Sequence, residues 1–209
     1  MRLILASTSP RRRDLLALFQ IPFDVQPPMS EELVVPHRSA GDLAAEFARA
    51  KADAVATRES SALVLASDTL IERDDVPLGK PRDVAEARSM LRTLAGRAHF
   101  VKTAVTAACR ARHFEKTEVS TARVWMKPFD LNAHERYLAT GDSLGKAGAY
   151  SIQGPGAELI ERVEGDFTTV VGFPLRVVAD LLARAGLTIP IDVEQVYQSK
   201  PYNNWLRFG

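Results

Sequence analysis

With a single cysteine, Cys109, among 209 residues, the chain can close no disulfide within itself, and that residue sits in an apolar stretch suited to core burial and a reducing compartment. The 4 histidines, His37, His99, His113 and His134, show no zinc-ligand spacing. Also missing are a Walker loop, a G-x-G-x-x-G fingerprint and a G-x-S-x-G elbow, which disfavours zinc, a dinucleotide cofactor and serine hydrolysis. No apolar run approaches a membrane span, and residues 1–6 are too short for a signal segment, so a cytoplasmic protein is expected. Neither charge sign dominates: 27 basic residues face 26 acidic ones, leaving no global field to draw in nucleic acid or an anionic membrane. Basic and aromatic residues are not interleaved, which weakens nucleic-acid binding further. Repeats and low-complexity blocks are absent too.

What is present begins with LILASTSPRRRDLL, residues 3–16. Leu3, Ile4, Leu5 and Ala6 suffice for one buried strand, and Ser7, Thr8 and Ser9 mark a turn. Ser9 is a favoured N-cap, Pro10 suits the first helical position, and Leu15, Leu16 and Phe19 supply a buried stripe. Arg11, Arg12 and Arg13 then place cations where a helix start favours acids. They oppose the helix dipole, and an anion held at the unpaired N–H groups would resolve that conflict. The alternative is that they face solvent or pair with acidic loops.

Length allows one large domain or two small ones, and nothing forces a split. Residues 23–25 read as a short strand, followed by a proline-rich loop carrying Glu31 and Glu32. Ser39 with Asp42 caps a helix that includes Lys51. Residues 62–66 read as a second buried strand with Asp68 and Thr69 just beyond its end, where open α/β sheets gather ligands. LGKP, residues 78–81, precedes a helix capped by Asp83 with Glu86. Two β-rich runs, 99–109 and 114–126, read as antiparallel; Asn132 with Glu135 caps a shorter helix; residues 144–174 mix short strands and loops. Pro174 opens a last helix stopped by Gly186. The tail carries Tyr197, Tyr202, Trp205 and Phe208, aromatics of the kind that dock on the parent domain or a neighbouring subunit.

Lys51, Lys80 and Lys146 each stand near a glycine, a capped helix or a strand end, and singly each could be a solvated lysine. Joined to the arginine turn they supply the charge a polyphosphate requires. Asp68 and Glu32 could then hold a hydrated Mg²⁺ or Mn²⁺ together with substrate phosphates.

Six motifs in order, SxSPRRxxLL (7–16), AxxKA (48–52), SDT (67–69), LGKP, MLxxLxGxxHxVxT (90–103) and KAGAYxIQGxG (146–156), resemble the Maf family of nucleoside triphosphate pyrophosphatases. That resemblance implies an α/β fold like that of inosine triphosphatases, with an elongated mixed sheet flanked by helices and a nucleotide cleft between two lobes. It implies a single domain over residues 1–186 with a tail at 187–209, a homodimer, and metal-dependent hydrolysis of a nucleoside triphosphate to the monophosphate and pyrophosphate. By position Asp68 matches the proton acceptor, and Arg11, Thr69 and Gln153 match positions linked to base choice. Ser7, Arg12, Glu32, Lys51, Lys80 and Lys146 match the cleft lining, and Ser9 belongs to the same anion-holding turn. A carboxylate among so many cations is a feeble base, so metal and geometry must carry much of the load. Thr69 and Gln153 resemble the branch acting on dTTP, UTP and modified pyrimidine triphosphates rather than the one preferring 7-methyl-GTP; a Gln amide suits the imide edge of thymine or uracil, the alternative being a Gln that only holds its loop. The competing reading is a nucleotide-binding regulator of septum formation without turnover. Gly145 stands where the family has an acid, Phe173 where it has leucine, and residues 72–76 are charged where a glycine turn is frequent.

Overall fold

The computed structural model describes residues 1–29, 34 and 38–209; the expected second carboxylate, Glu32, lies outside the described residues. The first strand, β1 (Leu3–Ala6), is buried at all its positions. Leu3 and Leu5 join the main apolar cluster on one face, while Ile4 and Ala6 join a second cluster on the other. It pairs in parallel with β2 (Asp24–Gln26) and with β3 (Leu63–Arg73). A parallel strand covered on both faces has to be apolar throughout, and LILA therefore reads as a run rather than an alternation.

β3 spans 11 residues, well past the end expected at Ala66. Ala66 is where its pairing with β1 stops, opposite Ala6. The strand continues because β5 (Ala98–Cys109) pairs antiparallel along it, with Asp68 opposite Ala104 and Thr69 opposite Thr103. Asp68 is thus a mid-strand residue lying past the end of its parallel neighbour, not a residue of a following turn. β4 (Val76–Leu78) folds back on β3, β6 (Phe114–Met126) returns along β5, and β7 (Ile160–Glu164) lies on β6. Among the described residues, seven strands form one mixed sheet in the order β2-β1-β3-β5-β6-β7, with β4 beside β3.

Helix α1 (Pro10–Ala17) buries Leu15 and Leu16 in the main cluster. On the other face lies α2 (Ala40–Ala56), where the Ser39 hydroxyl accepts hydrogen bonds from the N–H groups of Gly41 and Asp42. Its inner face is built from Ala44, Ala48 and Ala52, clustered with Ala104 and Ala108 of β5. Small side chains on both surfaces let the helix sit close to the sheet, close enough for Lys51 to reach β3. Helix α3 (Val84–Leu94) is capped as expected, Asp83 accepting from Glu86 N–H at 2.8 Å.

Helix α4 (Leu131–Ala139) is capped by Asp130, not Asn132: its carboxylate accepts from Ala133 N–H at 2.9 Å. Glu135 instead takes a two-pronged grip from Arg88, at 2.7 and 2.8 Å. A short helix α5 (Phe167–Val171) precedes α6 (Leu175–Arg184), which Pro174 opens. α6 is not the last helix, because the tail forms α7 (Val193–Ser199) and α8 (Asn203–Phe208). Trp205, 1% exposed, stacks on Phe167 at 5.3 Å, and Tyr197 meets it edge-on at 5.1 Å. The aromatic tail therefore docks on the parent fold. Among the described residues no helix is long and apolar enough to cross a membrane.

Candidate active site

A cleft of about 360 Å³ opens where β1 ends and its chain turns into α1. Ser7, Ser9, Arg11 and Arg12 line it from that turn. Ser9 occupies the N-cap position, yet its hydroxyl makes no capping bond and the first turn of α1 holds no acid. The partial positive charge at this helix start is therefore not answered by an acid in the turn itself. Arg13 is exposed and lies 3.5 Å from Asp14, so the solvent-facing alternative describes that arginine and not its two neighbours.

The second wall joins α2 to β3. Lys51, 6% exposed, and Asp68, 3% exposed, meet across 2.5 Å, the ammonium donating to Oδ1. The third wall brings LGKP against KAGAY: Gly148 N–H donates to the Gly79 carbonyl at 3.0 Å, which sets Lys80 and Lys146 on the same cleft. Gly148 has φ of 65°, and a Cβ there would lie 2.3 Å from Ile71 Cδ1, so only glycine permits this approach. Lys146 pairs with Asp142 at 2.9 Å. Asp142 supplies an acid for Lys146 despite the departure at Gly145.

Arg12 is aimed by two acceptors. Its Nε donates to the Gly172 carbonyl at 3.0 Å and its Nη2 to Thr69 Oγ1 at 3.4 Å. Ser67 donates to the same carbonyl at 2.9 Å. Thr69 Oγ1 is 3.0 Å from Thr103 Oγ1, and Thr103 donates its proton to the Thr169 carbonyl at 2.8 Å. Thr103 having spent its hydrogen, Thr69 donates to Thr103 and accepts from Arg12.

Tyr150 lines the cleft, and its hydroxyl lies 2.7 Å from His99 Nε2. Burial, followed by the nearby Arg73 charge, lowers the His99 pKa to about 4, so the ring is neutral at pH 7. Burial also raises the Tyr150 pKa and keeps it a phenol, so this bond joins two neutral groups. His99 Nδ1 has no hydrogen-bond partner among the described residues.

Of the residues expected at the site, Ser7, Ser9, Arg11, Arg12, Lys51, Asp68, Thr69, Lys80 and Lys146 all line this one cleft. Gln153 does not line it: it is half-buried one residue beyond Ile152, which does, and its N–H donates to Ser151 Oγ at 3.2 Å. Sequence reasoning passed over Ser67, Thr103, Tyr150 and Gly172 as working parts. Three of them sat inside motifs already singled out, but neutral groups whose partners lie far along the chain, a backbone carbonyl for Ser67 and Thr103 and the His99 ring for Tyr150, leave no local signal of their role.

The family model for Maf-like proteins matches residues 2–185, nearly the whole sheet and its helices. The chain belongs to the Maf-like family. Among similar proteins are the dTTP/UTP pyrophosphatase of Moorella thermoacetica, 43% identical over 90% of this chain and 97% of that protein, and that of Myxococcus xanthus, 44% identical over 90% and 94%. The dTTP/UTP pyrophosphatase of Bacillus velezensis is 41% identical over 83% of this chain and 91% of its own length.

In this Maf-like protein Asp68 is the one acid among the described cleft-lining residues, and no group of three metal-ligating side chains occurs among the described residues. With Glu32 outside the described residues, the described donor set is the Asp68 carboxylate alone. It fits a hard cation such as Mg²⁺, which keeps most of its waters and is bound through one or two carboxylates plus phosphate oxygens.

Proposed function

We propose that the chain is a nucleoside triphosphate pyrophosphatase that hydrolyses dTTP and UTP to the nucleoside monophosphate and pyrophosphate. The observation that carries this reading is the convergence of Arg11, Arg12, Lys51, Lys80 and Lys146, drawn from four separate segments, around one buried carboxylate, Asp68. A triphosphate is the ligand that needs several cations at once, and the similar dTTP/UTP pyrophosphatases narrow the base.

The guanidinium forks of Arg11 and Arg12 and the amino end of α1 bind the phosphate chain from one side, while Lys80 and Lys146 bind it from the other. Lys51 fixes the Asp68 carboxylate through its 2.5 Å bond. Asp68 orients a water on the α-phosphorus and takes its proton as the oxygen attacks. The α–β bridging P–O bond breaks, and pyrophosphate leaves with the electron pair, its growing charge met by the lysines and arginines. Asp68, with Glu32, would hold Mg²⁺ or Mn²⁺, which supplies charge neutralisation and a more acidic water when bound. Arg11 and Thr69, which line the cleft, and Gln153, one residue beyond its lining at Ile152, select the base. Residues 1–186 form the catalytic domain, residues 187–209 an appended tail, and the enzyme works as a cytoplasmic homodimer; sedimentation of the full chain checks the dimer.

A triphosphate panel tests the activity: purified chain with Mg²⁺ is expected to release pyrophosphate from dTTP and UTP well ahead of 7-methyl-GTP. Tight nucleotide binding with no pyrophosphate from any of them would contradict it and favour a regulator without turnover.

A further inference from the structure

The family match ends at residue 185, and nothing in the activity proposed above uses the helices beyond it. Yet those helices are wired to the cleft. Tyr197, on α7, donates its hydroxyl proton to Asp166 Oδ2 at 3.0 Å. Asp166 caps α5, accepting from Thr168 N–H at 2.8 Å, from the Thr168 hydroxyl on both carboxylate oxygens at 2.8 and 2.7 Å, and from the Thr169 hydroxyl at 3.2 Å. One carboxylate thus gathers three hydroxyl groups and a backbone donor, which fixes the start of a helix only 5 residues long. The far end of that helix delivers the two carbonyls described above: Thr169, which takes the Thr103 proton and so sets the Thr69 hydroxyl, and Gly172, which takes Arg12 Nε. Every link between Tyr197 and Arg12 is a hydrogen bond or a single turn of helix.

We propose that Tyr197 and Asp166 are positioning residues that act through α5 to aim the Arg12 guanidinium at the substrate phosphates, which makes the tail a working part of the site. The claim rests on the reading above that Arg12 binds the triphosphate. A long arginine side chain samples many rotamers, and its aim depends on acceptors that do not move. α5 is too short to be rigid alone. The tail supplies the rigidity: Trp205 stacks on Phe167 of α5, and Arg176 lies 3.6 Å over the Tyr197 ring while gripping Glu194 at 2.7 and 2.6 Å. Ring and hydroxyl of Tyr197 therefore do separate jobs, packing and aiming.

Tyr197→Phe separates them, because it keeps the stacked ring and deletes the donor to Asp166. In the full chain this variant is expected to lower kcat/KM for dTTP about three- to tenfold, carried by KM, with kcat within about twofold. In an Arg12→Ala background, or Arg12→Lys where alanine does not fold, the same change is expected to cost less than about twofold further, since there is no guanidinium left to aim. Asp166→Asn, which retains a capping acceptor, repeats the cycle with a second variant. An equal loss in both backgrounds would mean that the tail acts through general stability, and no loss in either would mean that it does not act on the site; both overturn the proposal. The wild-type chain separates this from the parent reading: if it releases no pyrophosphate from dTTP or UTP, that reading fails by itself. The cycle is then scored on the Kd of an α,β-imido dTTP analogue by calorimetry, which needs no turnover.

Discussion

At the scale of single residues, the pairing of Lys51 with Asp68 decides most. Asp68→Asn removes the proton acceptor and one carboxylate that would hold the metal but keeps the shape, so kcat is expected to fall about 10²- to 10⁴-fold while binding of the analogue is weakened but retained. Steady-state kinetics with calorimetry checks both halves. Lys51→Met leaves a buried carboxylate without its ammonium, and urea denaturation is expected to show a loss of about 3–5 kcal/mol. His99 gives a pH signature. Its pKa drops from 6.5 unfolded to about 4 folded, so below pH 6.5 the unfolded chain takes up a proton that the fold refuses. The stability associated with neutral His99 is complete above pH 6.5 and drains away down to pH 4, a loss of about 3 kcal/mol by linkage. Urea midpoints at pH 7 and pH 4.5 are expected to converge in His99→Asn compared with wild type. Residue identities at this scale were legible because charges in odd places are visible in a sequence: three arginines at a helix start and lone lysines beside glycines. Neutral helpers were not, since the role of Ser67 depends on a carbonyl 105 residues away.

At the scale of elements, caps and periodicity announced α2 and α3 almost to the residue, whereas the length of β3 escaped. A strand that loses one neighbour midway, β1 stopping at Ala66 on one edge while β5 runs on antiparallel along the other, shows no break in its own sequence, and Ser67, Asp68 and Thr69 look like a turn until β5 is seen beside them. The cap of α4 moved from Asn132 to Asp130 for a similar reason: two acceptors lay within reach, and geometry chose the one that meets Ala133 N–H. The turn after α5 is the element most sensitive to change. Gly172 has φ of 103°, and a Cβ there would stand 2.9 Å from Thr69 Oγ1 and 3.6 Å from Arg12 Nη2. Gly172→Ala is expected to strain the backbone and push Arg12 off its carbonyl, lowering kcat/KM about 10- to 100-fold. Initial-rate kinetics on dTTP reads that loss. Trp205→Ala, which empties the site under α5, is expected to cost about 3–5 kcal/mol in chemical denaturation.

Across the whole molecule, a charge-balanced chain has produced one strongly cationic recess by drawing its basic residues inward from sequence-distant segments. β1 and β3 end their parallel pairing at the same level, α2 stands close on alanines, and the Gly79 to Gly148 contact carries two lysines over from the other side. None of those distances is written in any local stretch; Lys146 has Asp142 close by in sequence, and a polyphosphate supplies one partner common to all of these cations. The central claim is that these groups deliver water to the α-phosphorus of that polyphosphate. Turnover of dTTP in ¹⁸O-labelled water, followed by mass spectrometry of the products, tests it most directly. The expected products are dTMP carrying the label and unlabelled pyrophosphate. Labelled pyrophosphate, or dTDP with labelled orthophosphate, would contradict it.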